Sequence, residues 1–455
     1  MELKVQLPKS VEEILTKFQK KGFEIYIVGG AVRDLAMGRL TNDWDFTTNA
    51  TPEEILNTIE GGLYNNQFGT VFSPNPDDPD RPHEITTYRK EEGYSDLRHP
   101  DKITWGQTLK EDLSRRDFTI NAMALRCAQG KPSNFELIDL FEGQKDLKAK
   151  LIRAVGDTDE RFSEDALRMM RAIRIAAELG FIIEEKTLEA IKNNASLINK
   201  IAKERVKEEL FKLLSSSYPY DGILLLRSSG LMTEILPELE KCFGVEQKSP
   251  GRHHVYDVGT HLFMSLKSCQ SQDPVVRFAT LIHDIGKPQT YKKLDNGIIT
   301  FYNHEMVSTK ITKNIAERLR FSKKESDKAI ILIRYHQFTV DERQTDSAIR
   351  RFLRNVDLEN VPDMLALRVA DRLGGGARET SWRLEEFKKR LIEVQKQPFT
   401  VRDLKIGGSD VMKILRLRPG PRVGEILNKL FEEVVEKKIE NEKKVLLEKV
   451  KEYEK

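Results

Sequence analysis

Residues 25–34 read Ile25-Tyr26-Ile27-Val28-Gly29-Gly30-Ala31-Val32-Arg33-Asp34, and a short way on comes Asp43-Trp44-Asp45. The apolar, β-branched run from Phe23 to Val28 predicts a strand, Gly29-Gly30 a tight turn, and Ala31–Met37 the start of a helix. Side chains along a strand alternate between faces. A strand through Asp43-Trp44-Asp45 therefore points both carboxylates one way and sends Trp44 into a core. Two hard oxygen ligands beside a glycine turn and an arginine suit a Mg²⁺–phosphate site. So short an acidic pair is also common in surface loops, and its meaning depends on the rest of the chain.

Length and composition set the frame. A chain of 455 residues has room for about three domains and a large core. With 32% charged residues and a net charge of only +3, affinity for nucleic acid would have to come from local basic clusters. No apolar run approaches the ~20 residues that span a bilayer, and Met1–Lys9 lacks an apolar signal core. Cys127, Cys242 and Cys269 form no metal or disulfide pattern, so a reduced cytoplasm is the expected compartment.

Working outward, Val11, Ile14, Leu15 and Phe18 keep helical spacing over 11–21, which Gly22 ends. Thr51-Pro52-Glu53-Glu54 opens a helix, with Thr51 as cap. Gln67–Ser73 and Glu84–Tyr88 predict a strand pair across the turn-rich 74–82 loop. Glu91–Pro100 predicts a flexible charged loop, and Phe118–Arg126 a further strand or short buried element. From Asp159 onward the period is helical, over 160–180, 184–195, 203–214 and 221–229, through a block at 255–380, and over a charge-rich 381–455. The expected fold is an α+β N-terminal head, a short mixed sheet with helices over residues 1–145. All-α regions follow at 146–250, 251–380 and 381–455.

The head offers each part that a nucleoside triphosphate site needs. Carboxylates can hold metal ions that neutralise phosphates and activate a hydroxyl, backbone N–H groups at a glycine turn can cradle phosphate oxygens, and arginines can clamp them. Gly29-Gly30 precedes a helix with Arg33 one turn in. Asp43 and Asp45 are the candidate metal ligands. Arg115-Arg116-Asp117 adds basic groups, and Glu84, on a neighbouring strand, is either a third carboxylate or a surface residue. Further on, Glu164-Asp165-Ala166-Leu167-Arg168-Met169-Met170-Arg171-Ala172-Ile173-Arg174 reads as one helix. It pairs Asp165 with Arg168 at i,i+3 and continues the stripe through Arg171 and Arg174. An ordinary amphipathic helix with one salt bridge would look the same.

The segments VGGAVRD, DWD, EDLSRRDFTINAMAL and RAVGDTDERFSEDALRMMRAIRIAAELGF, in this order across about residues 20–245, resemble the class II tRNA nucleotidyltransferases, the CCA-adding enzymes. Related bacterial poly(A) polymerases share much of the pattern. The resemblance implies a nucleotidyltransferase head followed by helical neck, body and tail. It implies Asp43 and Asp45 as catalytic Mg²⁺ ligands, and Gly30, Arg33, Arg116, Asp165, Arg168, Arg171 and Arg174 as nucleotide-binding residues. The reaction implied is template-independent addition of C, C and A to the tRNA 3′ end from CTP and ATP, with release of pyrophosphate. The chemistry of selection agrees. Cytosine and adenine present an amine donor beside a ring-nitrogen acceptor, matching an Asp165 acceptor and an Arg168 donor. Guanine and uracil invert both groups, at about 1–3 kcal/mol per buried mismatch. The loop Glu91–Pro100 favours addition of the terminal A, and the lack of a basic stretch after Asp45 favours CCA addition over poly(A) synthesis. An A-only enzyme or a poly(A) polymerase is the alternative.

A second constellation lies in the helical block. His261, His283-Asp284, His304, His336 and Asp371 include four of the eight histidines and sit in apolar contexts. Their order resembles the HD phosphohydrolase superfamily, and some CCA-adding enzymes carry such a domain here. Four imidazoles and two carboxylates suit two transition-metal ions (Mn²⁺, Ni²⁺ or Co²⁺) that would activate water for attack on a phosphoester at RNA ends. A packing module with a vestigial site is the other possibility. The tail, with Gly407-Gly408 and Pro419-Gly420-Pro421 among Arg and Lys, resembles that of bacterial family members. The expected partners are the tRNA acceptor arm and 3′ end, with no membrane and no obligatory protein partner.

Overall fold

A computed structural model describes residues 2–4, 7–65, 69–93, 102–127, 134–247, 255–338, 344–395, 401–436 and 438–453. The chain divides into two compact units. One comprises Met1–Glu240 with Ile315–Phe321, the other Lys241–Asn314 with Ser322–Lys455.

The first unit begins with the α/β head. Its strands are β1 (Glu2–Lys4), β2 (Ile25–Val28), β3 (Asp45–Thr48), β4 (Leu63–Asn65), β5 (Thr70–Ser73), β6 (His83–Thr87), β7 (Arg89–Glu92), β8 (Lys102–Trp105), β9 (Met123–Cys127) and β10 (Asn134–Asp139). Eight of them form one sheet in the order β1-β10-β9-β2-β3-β6-β5-β4, while β7 and β8 pair as a separate ribbon. β3 and β6 are parallel and their neighbours antiparallel, which makes the sheet mixed as expected. Helix Lys9–Lys20 lays Val11, Ile14, Leu15 and Phe18 on one face, in a core with Ile27, Phe46, Ile55 and Ile85. Thr51 caps helix Pro52–Leu56 through a reciprocal bond with Glu54, as its sequence predicts.

The predicted helix 160–180 is in fact two. Thr158–Glu164 ends at Asp165, whose backbone is extended (φ −140°, ψ 100°), and Leu167–Leu179 starts anew. Helical period continues through the break because Phe162, Leu167, Met170 and Ile173 are all buried, so no apolar gap marks it. Helices Glu185–Asn194, Lys203–Ser215 and Pro219–Ser228 follow, the last two packing against Leu167–Leu179.

Among the described residues the second unit is helical apart from a small hairpin, Lys292–Lys293 with Ile299–Thr300. Val258–Ser268, Pro274–Ile282, Lys323–Tyr335 and Val361–Gly374 pack around one another. The tail helices Gly408–Leu415, Pro421–Val435 and Lys443–Glu452 enclose a core of their own, built on Val411, Leu430, Phe431, Leu446 and Val450. Gly407 caps the first of these and Gly420-Pro421 opens the second, as the breaks in the sequence suggested. No helix among the described residues is long and apolar enough to cross a membrane.

Candidate active site

Asp45 opens β3. Its register neighbours are Val28 and Glu84, so the Asp45 and Glu84 side chains leave the same face of the sheet. Asp43 precedes the strand and is exposed, while Trp44 between them is 5% exposed and packs in the core with Phe46. Alternation thus holds, although the strand itself begins only at Asp45. The Asp45 carboxyl is pushed up to about 7, first by burial and then by Asp43 and Glu84, against the pull of Arg116 and Arg171. Glu84 is also raised, by burial and by Asp43. Carboxylates that oppose one another's ionisation from one face of the sheet are a donor type that a divalent cation fits.

Gly29 ties these acids to the arginines. It sits at φ +75°, and a Cβ there would lie 3.1 Å from Asp45 Oδ2 and 3.3 Å from Arg116 Nη1. Any side chain at this position would be strained and would crowd both groups. Arg116 donates to Asp112 Oδ2 (3.3 Å), and its buried Nε has no hydrogen-bond partner among the described residues. Asp112 is fully buried and also takes Arg115. Burial works against its ionisation, but the two guanidiniums hold its carboxyl below the usual range.

Arg116 also lines a cavity of about 360 Å³ with Arg115, Asp117, Asp165, Leu167, Arg168, Arg171, Arg205, Glu208 and Glu209. Arg171 donates to Asp117 Oδ2 through Nε (2.9 Å) and Nη2 (2.6 Å). Burial opposes ionisation of Asp117, yet Arg171 and Asn121 hold its carboxyl well below the ordinary range. A polar relay results: Arg33 Nη1 donates to Asn121 Oδ1 (3.0 Å), and Asn121 Nδ2 donates to Asp117 Oδ1 (3.0 Å). Through it the helix after the glycine turn is coupled to Arg171 on Leu167–Leu179.

In the second unit, His261 lies on Val258–Ser268, His283 and Asp284 follow Pro274–Ile282, His304 opens a helix, His336 follows Lys323–Tyr335, and Asp371 lies on Val361–Gly374. Gly286 lets these segments meet, since a Cβ there would lie 2.5 Å from His304 O and 2.6 Å from Ser308 N. Three rings are held alike. His283 Nδ1 meets Thr280 O (2.9 Å), His304 Nδ1 meets Phe301 O (2.8 Å) and His336 Nδ1 meets Ile333 O (2.7 Å). A carbonyl only accepts, so each Nδ1 carries its hydrogen and each neutral ring turns the Nε2 lone pair inward. There Nε2 of His261 and His283 are 3.2 Å apart, and those of His304 and His336 3.4 Å. Asp284 bridges the two pairs. Its Oδ2 lies 3.5 and 3.4 Å from His261 and His283, and its Oδ1 3.0 and 3.5 Å from His304 and His336. Asp284 Oδ1 is buried and has no hydrogen-bond partner among the described residues. Lone pairs aimed at lone pairs across so short a gap repel unless a proton or a metal ion lies between them. The donor set therefore fits transition metals. A cavity of about 610 Å³ adjoins it, bounded by Lys287, His304, Arg334 and Arg351 with Phe301 and Tyr335.

Residues 25–153 match the Poly A polymerase head domain, residues 180–243 the "Probable RNA and SrmB- binding site of polymerase A", and residues 299–450 the tRNA nucleotidyltransferase domain 2. The CCA-adding enzyme of Pediococcus pentosaceus is 32% identical over 448 residues, covering 97% of this chain and 98% of that protein. That of Leuconostoc mesenteroides is 34% identical over 456 residues, covering 98% of each. The chain belongs to the CCA-adding enzyme family. The crystal structure of the Bacillus stearothermophilus CCA-adding enzyme in complex with CTP superimposes with a TM-score of 0.73, at 26% identity and 98% coverage of both chains. As in other CCA-adding enzymes, the chain is a tRNA nucleotidyltransferase, and such enzymes use divalent metal ions.

The structure brings most of the residues expected from the sequence into these two centres. Arg33 is already bidentate to Asp34 (2.9 and 3.1 Å) and lies 3.6 Å from where a Gly30 Cβ would be. Arg168 and Asp165 share the cavity but not a salt bridge. Arg168 Nη1 donates to Glu164 (2.7 Å), whereas Asp165 accepts from Arg205 (3.1 Å). The helix break accounts for this, since Asp165 is not on the helix that carries Arg168. Arg174 does not line the cavity and is bound instead to Glu209 and Glu178 (2.7 Å each). Of the charged loop Glu91–Pro100, residues 94–100 lie outside the described residues. Asp112 and Arg205 were not singled out by the sequence reading. Asp112 stands three and four residues before Arg115 and Arg116, a spacing that could have shown it.

Proposed function

We propose that this chain adds C, C and A to the 3′ end of tRNA from CTP and ATP, the tRNA 3′-oxygen bonding to the α-phosphorus as the bond to pyrophosphate breaks. The observation that carries this is Arg116. One guanidinium approaches Gly29 from beside the Asp45 carboxyl, whose ionisation it favours, and also lines the cavity holding Asp165 and Arg168. Phosphates and base of one nucleotide thus have adjacent seats. Asp43 and Asp45, with Glu84, would hold Mg²⁺, which supplies Lewis acidity toward the attacking hydroxyl and the departing pyrophosphate. Arg116, Arg33 and the Gly29-Gly30 N–H groups bind phosphate oxygens. Asp165 accepts from the base amine. Arg168 uses Nη1 on Glu164 and Arg161 O, and Nη2 on Arg115 O, which leaves Nε–H and one Nη2–H for a ring nitrogen. Arg171 holds Asp117 beneath them, and Arg174 braces the helix from behind. On this reading residues 1–145 perform the transfer, 146–250 select the nucleotide, and the basic tail 381–455 follows the tRNA acceptor arm. A cytoplasmic setting accords with three cysteines that form no disulfide among the described residues.

Incubating the protein with tRNA ending before CCA, in C or in CC, with CTP and ATP supplied separately, and sequencing the 3′ ends, tests the reading. Stepwise C, C, A addition is expected. Incorporation of A alone, or of long A tracts, would overturn CCA specificity.

The pH dependence of stability supplies a second test. The Asp45 carboxyl titrates at about 7 in the folded metal-free head, against 3.8 ordinarily. The folded head therefore keeps a proton that the unfolded chain has released. Its stabilising contribution is complete below the lower value and is lost as pH rises through the higher one. Mg²⁺ is expected to raise the melting temperature more at about pH 8 than at about pH 5, a difference that Asp45→Asn removes. Equal Mg²⁺ shifts at both pH values would contradict this.

For residues 251–380 we infer an HD-type phosphohydrolase domain acting on phosphoesters at RNA ends, with His261, His283, Asp284, His304, His336 and Asp371 as ligands for Mn²⁺, Ni²⁺ or Co²⁺. The inward lone pairs and the bridging Asp284 support it, and the adjoining cavity offers arginines for a phosphate.

A further inference from the structure

We infer that Arg205 is a positioning residue for base selection, which holds the Asp165 carboxylate in the orientation that meets an exocyclic amine; this rests on the reading that Asp165 contacts the base. Asp165 stands in the break between two helices, where helical geometry does not fix its side chain. Its oxygens are instead each held by one donor. Oδ1 takes the Leu167 N–H at 3.0 Å, and Oδ2 takes Arg205 Nη2 at 3.1 Å. Arg205 comes from a different helix, Lys203–Ser215, which packs along Leu167–Leu179. It lines the same cavity, and its buried Nη1 has no hydrogen-bond partner among the described residues. A guanidinium N–H left unsatisfied at a cavity wall is costly, and an acceptor on a bound nucleotide relieves the cost.

A carboxylate gripped at both oxygens presents its remaining lone pairs in one direction. Cytosine and adenine offer an amine there, whereas guanine and uracil offer a carbonyl, which a fixed carboxylate repels and a mobile one can avoid. Discrimination against UTP and GTP thus depends on the grip as well as on Asp165 itself. Arg168 cannot supply that grip, because its Nη1 is committed to Glu164 and Arg161 O.

The test compares Arg205→Ala, Arg205→Lys and Asp165→Asn in steady-state incorporation of CTP, ATP and UTP on tRNA lacking its 3′ end. Arg205→Ala is expected to raise KM for CTP and ATP about tenfold with kcat within about threefold, and to raise UTP misincorporation about tenfold. Arg205→Lys should restore most of both. Adding Arg205→Ala to Asp165→Asn should change little further, because the grip then has nothing to hold. Unchanged KM and unchanged UTP discrimination in Arg205→Ala, with Asp165→Asn impaired, would overturn the inference alone. If Asp165→Asn itself discriminates normally, the base-reading assignment falls instead. Should Arg205→Ala fail to fold, Arg205→Met, which keeps the apolar stem, carries the same expectation.

Discussion

Asp45→Asn is expected to abolish nucleotide incorporation while tRNA remains bound. The substitution preserves size and shape but removes the charge that a divalent cation requires. Several kcal/mol of charge stabilisation go with that cation, so the fall should be on the order of 10³-fold or more in kcat. The loss should not come from unfolding. The Asp45 carboxyl is held up at about 7 by burial and by Asp43 and Glu84, so ionising it without a cation beside it is unfavourable. A neutral amide avoids that cost, and the variant should melt no lower than the parent above neutral pH. Gel-shift titration with tRNA separates binding from chemistry, since the tRNA contacts proposed here lie elsewhere. Incorporation within tenfold of the parent would remove Asp45 from the metal site.

The second large effect is expected at Asp284. Its two oxygens face different imidazole pairs, His261 with His283 and His304 with His336. Asp284→Asn is therefore expected to lower metal content at both positions at once. Phosphodiesterase activity with Mn²⁺, Ni²⁺ or Co²⁺ should fall on the order of 10²-fold or more while C and A incorporation continues. Elemental analysis of protein loaded with each metal and then desalted gives the stoichiometry directly. Metal uptake should also release protons. Burial alone would keep His283 neutral, but Asp284 and Asp371 push its metal-free form up to about 10. Occupancy should accordingly fall as pH falls, a result that dye-monitored proton release can check. Parent protein that retains no transition metal and hydrolyses no phosphoester would leave the cluster a packing motif.

The features legible in the sequence were those whose meaning is local. Alternation around Trp44, the Gly29-Gly30 turn and the Thr51 cap each involve residues a few positions apart, and all appear in the fold. The order of His261, His283-Asp284, His304, His336 and Asp371 also survived, because each ligand stands beside buried apolar neighbours. Other features were opaque for physical reasons. The strand Arg89–Glu92, paired with Lys102–Trp105, has no apolar residue in its sequence, so Glu91 and Glu92 read as part of the charged loop Glu91–Pro100 although they are in a strand. The break at Asp165 leaves the apolar period intact. Arg205 stands 40 residues from the aspartate it grips, and no short-range pattern announces such a pair. The pairing of Asp165 with Arg168 failed for the converse reason. Spacing alone offered it, and the backbone between them withdrew it.

Around the cavity, each arginine is matched to a particular acid: Arg115 and Arg116 to Asp112, Arg168 to Glu164, Arg171 to Asp117, and Arg205 to Asp165. Removing an acid strands its arginine, and removing Arg171 or Arg205 takes from Asp117 or Asp165 its arginine partner, in a poorly solvated place. The consequence concerns how far the site can be redesigned. A single substitution aimed at accepting a new base will also disturb an ion pair, so stability and specificity move together. Variants that read a different nucleotide should then emerge as compensated doubles, acid and arginine exchanged in concert, and libraries that randomise single positions should return mostly unfolded or unaltered proteins.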